Sequence, residues 1–254
     1  MTVARPTIYL VGAGPGEPDL LTVRAAEIIK IADLILYDML VPQEILDLAK
    51  PDAQLVCAKH RGYGKAGFQQ KIAQLLAKQA HEGRLVCRLK SGDPMIFANG
   101  AETIAFLQQL GCNVSIIPGI SSGLGGPVLA GIPLSFRGHS PTICLVSMHD
   151  PDHLPEWSAV ARTGVSIFYM ALAKLEEIST SLIAAGLAAD TPAWLMENAG
   201  RPSQRIVVGM LDGLARLAEA NSVQEPAILL TGEVLRKAAA RIRPWSGEKI
   251  SAPA

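Results

Sequence analysis

The sequence predicts an α/β fold with two α/β domains, a mostly parallel sheet in the first and a mixed sheet in the second. Strand-length apolar runs alternate with amphipathic helical segments in the first half of the chain. In the second half, strand-like runs follow one another more closely, as antiparallel neighbours do. The change falls near Gly119, so we expect domains at 1–118 and 119–243, followed by a loosely held tail over 244–254.

The first half repeats a strand-then-helix pattern until a fifth strand ends it. Because a helical segment separates each strand from the next, neighbouring strands are expected to run parallel, with right-handed crossovers. Helical periodicity begins at Leu20, and Thr22, within the first turn of that segment, is a plausible N-cap. The predicted strands are Thr7–Val11, Leu34–Tyr37, Gln54–Ala58, Arg84–Leu89 and Asn113–Ile117, and the predicted helices are Leu20–Ile31, Pro42–Ala49, Phe68–Glu82 and Ala101–Leu110.

The second half begins with a short segment of small residues, Ser121–Ala130, which is predicted to be helical. One clear helix follows, at Ala173–Ala185, among strand-like runs. The last four of these runs are expected to include antiparallel pairs. The predicted strands are Thr142–Ser147, Val165–Ala171, Ala193–Glu197, Arg205–Gly209 and Ala227–Gly232.

The composition argues against several classes of protein. A net charge of +0 gives no global attraction to nucleic acid or to a membrane, so neither is expected as a partner. The four cysteines form no CxxC pair, which favours reduced thiols and a cytoplasmic location.

The uncharged stretch from Thr103 to Phe136 is interrupted by prolines and glycines, so it is not a membrane span. We expect no metal site, since Pro151 breaks the His-Asp-Pro-Asp-His segment.

A glycine-rich motif, GAGPG at 12–16, follows the first predicted strand. A dinucleotide-binding turn has G-x-G-x-x-G opening directly into a helix, with an acidic residue about 20 positions later. Asp38 lies at a suitable distance, but Pro15 and Pro18 delay the helix. We interpret the motif as a loop whose main chain packs directly against a ligand, because glycine has no side chain to keep the two apart. The alternative is a tight βα turn without a ligand.

Polar residues follow several other predicted strands. Asp38 and Lys59 each end a strand and would form an acid–base pair across neighbouring strands, or else be a turn former and a solvated lysine. In SGDP, Asp93 offers a carboxylate to a ribose diol or an amino group, or simply belongs to a turn. Ser121 and Ser122 cap a helix or contact a polar ligand.

A basic set also clusters at the predicted strand ends and suits a substrate with several carboxylates, although ordinary solvated charge explains it as well. Its members are Lys59, His60, Arg61, Lys65, Arg88, Lys90 and Arg137.

With these motifs in order, the chain resembles the tetrapyrrole methylases from about Thr7 to Arg236, and within them the branch that acts on uroporphyrinogen III. The motifs are GAGPG, ILYDMLV, RLKSGDP, IIPGISS, GIPLSFRG and IFYMAL. The resemblance implies a homodimer of two-domain chains with S-adenosyl-L-methionine in an interdomain cleft and S-adenosyl-L-homocysteine as by-product. It also implies methylation of two pyrrole carbons of a tetrapyrrole, giving precorrin-2 for siroheme, cobalamin or haem d1.

The resemblance assigns roles by position. It implies a proton acceptor at Asp38 and a proton donor at Lys59. Substrate contacts are implied at Asn99, Glu102 and Arg137. Cofactor contacts are implied at Pro15, Ser91, Gly92, Asp93, Ile96, Ser121, Ser122, Met170, Ala199 and Ala227.

The chain departs from the family pattern in four segments, namely KSGDP, FANGAET, SMH ending at His149, and the segment after Lys59. Ser91 replaces the first glycine of the family's GGDP, and Asn99 replaces an arginine. An asparagine has neither the charge nor the forked donors of a guanidinium. Three alternatives therefore stay open: a methylase of a later corrin intermediate or of a non-tetrapyrrole, a nucleotide-binding oxidoreductase, and a non-catalytic homologue that binds cofactor or tetrapyrrole.

Overall fold

The computed structural model describes residues 5–58, 67–138 and 140–238. The chain forms two compact units that divide between Ser121 and Ser122, three residues after the boundary expected from the sequence. The expected tail over 244–254 lies outside the described residues.

The first unit contains a five-stranded sheet in the order β3-β2-β4-β1-β5, with every neighbouring pair parallel. This confirms the predicted parallel sheet. The strands are β1 (Thr7–Gly12), β2 (Leu34–Asp38), β3 (Gln54–Ala58), β4 (Val86–Lys90) and β5 (Asn113–Ile117), and the helices are α1 (Val23–Ile31), α2 (Gln43–Leu46), α3 (Phe68–His81) and α4 (Gly100–Gln109).

The two faces of this sheet are covered by different helices. Successive strand residues point to opposite faces, so Leu34 and Leu36 of β2 pack with α3 and with Leu107 of α4, whereas Ile35 packs with α1 and α2. The chain crosses first in one direction along the sheet and then in the other, and right-handed crossovers therefore place the two helix pairs on opposite faces.

The second unit contains a mixed sheet in the order β6-β7-β10-β8-β9. The β6–β7 pair is parallel and the other three pairs are antiparallel, as the close spacing of the last four strands predicts. The strands are β6 (Ile143–Ser147), β7 (Val165–Tyr169), β8 (Ala193–Glu197), β9 (Arg205–Val207) and β10 (Ala227–Thr231), and the helices are α5 (Ser122–Leu129), α6 (Trp157–Ala161), α7 (Leu175–Ala184), α8 (Leu214–Ala220) and α9 (Val234–Ala238).

Three short helices of the second unit, α6, α8 and α9, are not predicted from the sequence. Helices this short are marginal by themselves, so packing rather than periodicity determines them. Val160 and Leu214 are buried in one core of the unit, and Leu235 is buried in the other. The uncharged stretch is folded largely as α4, β5 and α5, and no helix in the described ranges is long and apolar enough to cross a bilayer.

The predicted cap of α1 generates a test of this local structure. The Thr22 hydroxyl oxygen accepts a hydrogen bond from the Ala25 amide at 3.2 Å. We expect Thr22→Ala to lower the free energy of unfolding by about 1 kcal/mol, because one helix-end amide loses its partner. Urea denaturation measures the loss, with Thr22→Ser as the matched control that keeps the hydroxyl. Equal stability of Thr22→Ala and wild type would contradict the capping role.

Candidate active site

The candidate site lies in the first unit, where two neighbouring parallel strands send their chains to opposite faces. β1 continues towards α1 on one face, and β4 continues towards α4 on the other. The carboxyl ends of two such strands leave a crevice between the diverging loops, which is where open α/β sheets bind ligands. The loops at this point carry GAGPG and SGDP, two of the motifs singled out in the sequence.

Glycines let three loops meet at this edge. The Gly14 amide donates to Gly92 O at 3.2 Å, and the Gly92 amide donates to Gly14 O at 2.8 Å. A Cβ placed on Gly119, in the loop after β5, would lie 2.2 Å from Gly92 O. A Cβ on Gly12 would lie 2.5 Å from Gly119 N. The three backbones therefore touch without side chains between them.

Asp93 ties two of these loops together. One carboxylate oxygen accepts from the Met95 amide at 2.8 Å, and the other accepts from the Gly119 amide at 3.0 Å. The sequence leaves open whether this carboxylate contacts a ligand or belongs to a turn. In the structure it fixes the SGDP turn and the PGI loop, and each oxygen keeps a second lone pair for a ligand donor.

Asp38 lies between two cations of the neighbouring strand β4. Arg88 Nη2 donates to Asp38 Oδ1, and Lys90 Nζ is 3.6 Å from Asp38 Oδ2. Both cationic residues are buried, whereas the Asp38 side chain is 27% exposed. The strand order explains the cluster, because β4 rather than β1 or β3 flanks β2 on this side.

Burial changes the protonation of Lys90. Desolvation, and secondly the charge of Arg88, lower the pKa of Lys90 to about 8, against the opposing effects of Asp38 and Glu102. Lys90 belongs to the basic set that the sequence predicts for a substrate with several carboxylates, but its burial against Asp38 makes it unsuited to that role. The sequence does contain a signal for this ion pairing. Arg88 and Lys90 are alternate residues of one apolar strand, and buried cations need an anionic partner.

The surface beside these loops is apolar. Met95, Ile96 and Ile120 are exposed by 47%, 36% and 38% respectively. Asn99, where the family pattern has arginine, has φ 54° and ψ 34° and immediately precedes α4. Asparagine tolerates this left-handed conformation better than most residues do. Ser91 is half-buried, Pro15 and Ser121 are buried, and Glu102 is exposed.

The remaining predicted site residues lie in the second unit or beyond the described ranges. Met170 is 39% exposed and has φ 54°, and Ala199 is buried next to Gly126. Ala227 begins β10 opposite Glu197 of β8. Arg137 is exposed and Ser122 is half-buried. The residues outside the described part of the chain are Lys59, His60, Arg61 and Lys65.

The geometry of the first loop disfavours a dinucleotide-binding turn. After GAGPG the chain makes a 3-10 turn at Pro18–Leu20, and α1 starts only at Val23. The helix therefore does not open directly from the glycines, which a dinucleotide fingerprint requires.

Comparison with known proteins identifies the family. A model of the tetrapyrrole (corrin/porphyrin) methylases matches residues 7–215. The chain belongs to the tetrapyrrole methylases.

Two curated relatives of this methylase differ in length. The chain is 42% identical over 231 residues to the uroporphyrinogen-III C-methyltransferase of Pseudomonas aeruginosa, covering 90% of this chain and 94% of that protein. It is 39% identical over 231 residues to the siroheme synthase of Pseudoalteromonas translucida, covering 89% of this chain but 49% of that protein. The chain thus spans about half the length of the siroheme synthases that it matches.

Solved structures share the fold of this methylase. One is uroporphyrin-III C-methyltransferase from Thermus thermophilus, complexed with S-adenyl homocysteine. It has a TM-score of 0.77 and 34% identity, and the match covers 92% of this chain and 100% of that one. A cobalt precorrin-4 methyltransferase has a TM-score of 0.82 and 25% identity, covering 92% of this chain and 99% of that one.

The close approach of the loops predicts that Gly119 tolerates no side chain. We expect Gly119→Ala to lower the free energy of unfolding by about 3 kcal/mol, because its methyl group would collide with backbone that cannot rotate away. Urea denaturation and calorimetric titration with S-adenosylhomocysteine measure stability and binding.

Gly83→Ala is the matched control for this substitution. Gly83, unlike Gly119, has positive φ, 87°, and nothing lies within 4 Å of an added Cβ, so only the conformational cost of about 1 kcal/mol is expected. If both variants lose the same stability, the loops are not packed as described.

Proposed function

We propose that this protein transfers two methyl groups from S-adenosylmethionine to pyrrole carbons of uroporphyrinogen III, forming precorrin-2. The main support is the 42% identity to a uroporphyrinogen-III C-methyltransferase over 94% of that relative's length. The product would feed siroheme, cobalamin or haem d1 synthesis. A homodimer and a cytoplasmic location belong to the same proposal and derive from the family resemblance and the composition.

The loops at the carboxyl edge of the first sheet suit the methyl donor. Their backbones are exposed at glycines, and Met95, Ile96 and Ile120 offer apolar surface to an adenosyl group. Gly92 has φ 67° and no side chain, and Asp93 holds its turn in place. Cofactor contacts are proposed for these loops and for the other positions that match the family. They are Pro15, Ser91, Gly92, Asp93, Ile96, Ser121, Ser122, Met170, Ala199 and Ala227.

The reaction needs positioning more than it needs a protein nucleophile. When bound, S-adenosylmethionine supplies an electrophilic methyl group on a sulfonium centre. The electron-rich pyrrole carbon is itself the nucleophile, so the protein holds the reactants in line and excludes water. Strong anionic contact with the donor would stabilise the cationic ground state, and the apolar side chains beside the SGDP loop avoid that.

The substrate carries acetate and propionate arms, which need cationic partners. Arg137 is exposed and is the proposed partner among the described residues, with Glu102 and Asn99 as further substrate contacts. Lys59 stays in the proposal as a proton donor by its match to the family. Arg88 and Lys90 are buried against Asp38, so they are unsuited to bind carboxylate arms directly.

Methyl transfer to authentic substrate tests this proposal. The protein is incubated anaerobically with enzymatically made uroporphyrinogen III and methyl-labelled S-adenosylmethionine, and the products are analysed by mass spectrometry. We expect two methyl groups per macrocycle, because the relative that is 42% identical over 94% of its length is a uroporphyrinogen-III C-methyltransferase. Omitting the protein, and separately the macrocycle, provides the controls.

Each other result has a defined meaning. S-adenosylhomocysteine binding by calorimetry without methyl transfer would contradict the proposed substrate, and cobalt precorrin-4 would then be assayed next because of the 25% identical neighbour. Transfer of one methyl group only would contradict the proposed product. A failure to bind S-adenosylhomocysteine would contradict the proposed cofactor contacts.

A further inference from the structure

A buried ionic cluster beside the candidate site is not explained by ligand binding alone. Asp38, Arg88 and Lys90 share one face of the first sheet, because they continue the alternation of Leu36 in β2 and Val86 in β4. Arg88 is 1% exposed and Lys90 is 3% exposed. Asp38 is the member that reaches solvent, with a side chain 27% exposed. A proton entering from the site therefore meets Asp38 first.

Arg88 is a fixed cation behind Asp38. Its Nη1 donates to Leu36 O at 3.2 Å and to Leu89 O at 3.0 Å, while Nη2 donates to Asp38. A guanidinium does not lose its proton in proteins. Asp38 thus faces a permanent positive charge that cannot itself take up a proton.

Lys90 is the second group in contact with Asp38, and it can change charge. Its Nζ lies 3.6 Å from Asp38 Oδ2, so a shift of about 0.5 Å brings the two atoms to hydrogen-bond distance. With a pKa lowered to about 8, Lys90 loses its proton far more readily near neutral pH than an ordinary lysine does. The charged groups that face it among the described residues are Asp38 of β2, Arg88 of β4 and Glu102 of α4.

We propose that Lys90 stores the proton released after methyl transfer until solvent takes it up, and that Asp38 passes the proton inward to Lys90. This inference rests on the proposed function. Lys90 acts through Asp38 rather than on the substrate, so it is a positioning and proton-storing residue. Neither the sequence pattern nor the family match assigns it this role.

The proton balance of the step is simple. Formation of the new carbon–carbon bond uses an electron pair of the pyrrole ring and leaves the macrocycle with one positive charge. An N–H or C–H bond of the macrocycle then breaks, and its electron pair returns to the ring. The proton goes to the Asp38 carboxylate and then to the neutral Lys90 amine, which becomes an ammonium ion and later loses the proton to solvent.

The protonation half of the proposal is testable without turnover. In protein labelled with ¹³C-lysine, the pH titration of each Cε resonance gives its pKa, and through-bond spectra of wild type assign Lys90. We expect a midpoint near pH 8 for Lys90. Lys50 is the internal control, since its hydrogen bond with Asp33 raises its pKa above the usual range. A Lys90 midpoint at 10 or above overturns the proposal.

The functional half uses the pH profile of single-turnover methyl transfer. In wild type we expect the rate to rise with pH through about 8, because only neutral Lys90 accepts a proton. Lys90→Arg keeps the charge but cannot become neutral, so the rise should disappear and the rate at pH 8.5 should fall about 100-fold. Lys50→Arg is the matched control and should keep the wild-type profile.

The outcomes separate this inference from the proposed function. A purely structural ion pair would be rescued by Lys90→Arg with an unchanged pH profile, which overturns the inference while the enzyme remains active. If Lys90→Arg does not fold, Lys90→Met replaces it in the same measurement. A wild-type pH profile in Lys90→Met would also overturn the proposed role of Lys90. If wild type transfers no methyl group, the proposed function fails, and the lysine titration still decides the charge state of Lys90.

Discussion

The close contact of three backbones at the carboxyl edge of the first sheet is the constraint on which the site depends. Gly12, Gly92 and Gly119 come from the ends of β1, β4 and β5, and any Cβ at Gly12 or Gly119 would occupy the space of a neighbouring backbone. Asp93 then fixes two of these loops through amide hydrogen bonds. The three loops lose conformational entropy on folding. They form a crevice lined by backbone atoms where the strand order of the sheet reverses direction.

The strand order places a buried ionic cluster beside this crevice. β2 lies beside β4, so a strand-end carboxylate meets two cations that are 52 and 50 positions away in the chain, Lys90 and Arg88. Low dielectric strengthens every interaction in such a cluster and also penalises an unpartnered charge. In this environment the pKa of Lys90 is lowered, whereas Arg88 stays protonated and donates to the carbonyl oxygens of Leu36 and Leu89.

Much of the fold follows from local sequence. β3 and β5 have the predicted bounds, and Thr22 caps α1, because strand-length apolar runs and a hydroxyl before a helix are local signals. The short helices α6, α8 and α9 are missed, since packing rather than periodicity stabilises them. The pairing of Asp38 with Lys90 also escapes prediction. Alternation shows which face each residue takes, but only the strand order shows which strands are neighbours.

Hydrogen–deuterium exchange with and without S-adenosylhomocysteine tests the central claim, that the loops after β1, β4 and β5 hold the methyl donor. Slower amide exchange is predicted in residues 12–16, 91–97 and 118–122, because a bound ligand excludes water from these loops. Control segments at Lys50 and Gly83, away from these loops in sequence, should exchange unchanged. Saturating ligand that leaves all three loops unprotected, or protects other segments instead, would contradict the account.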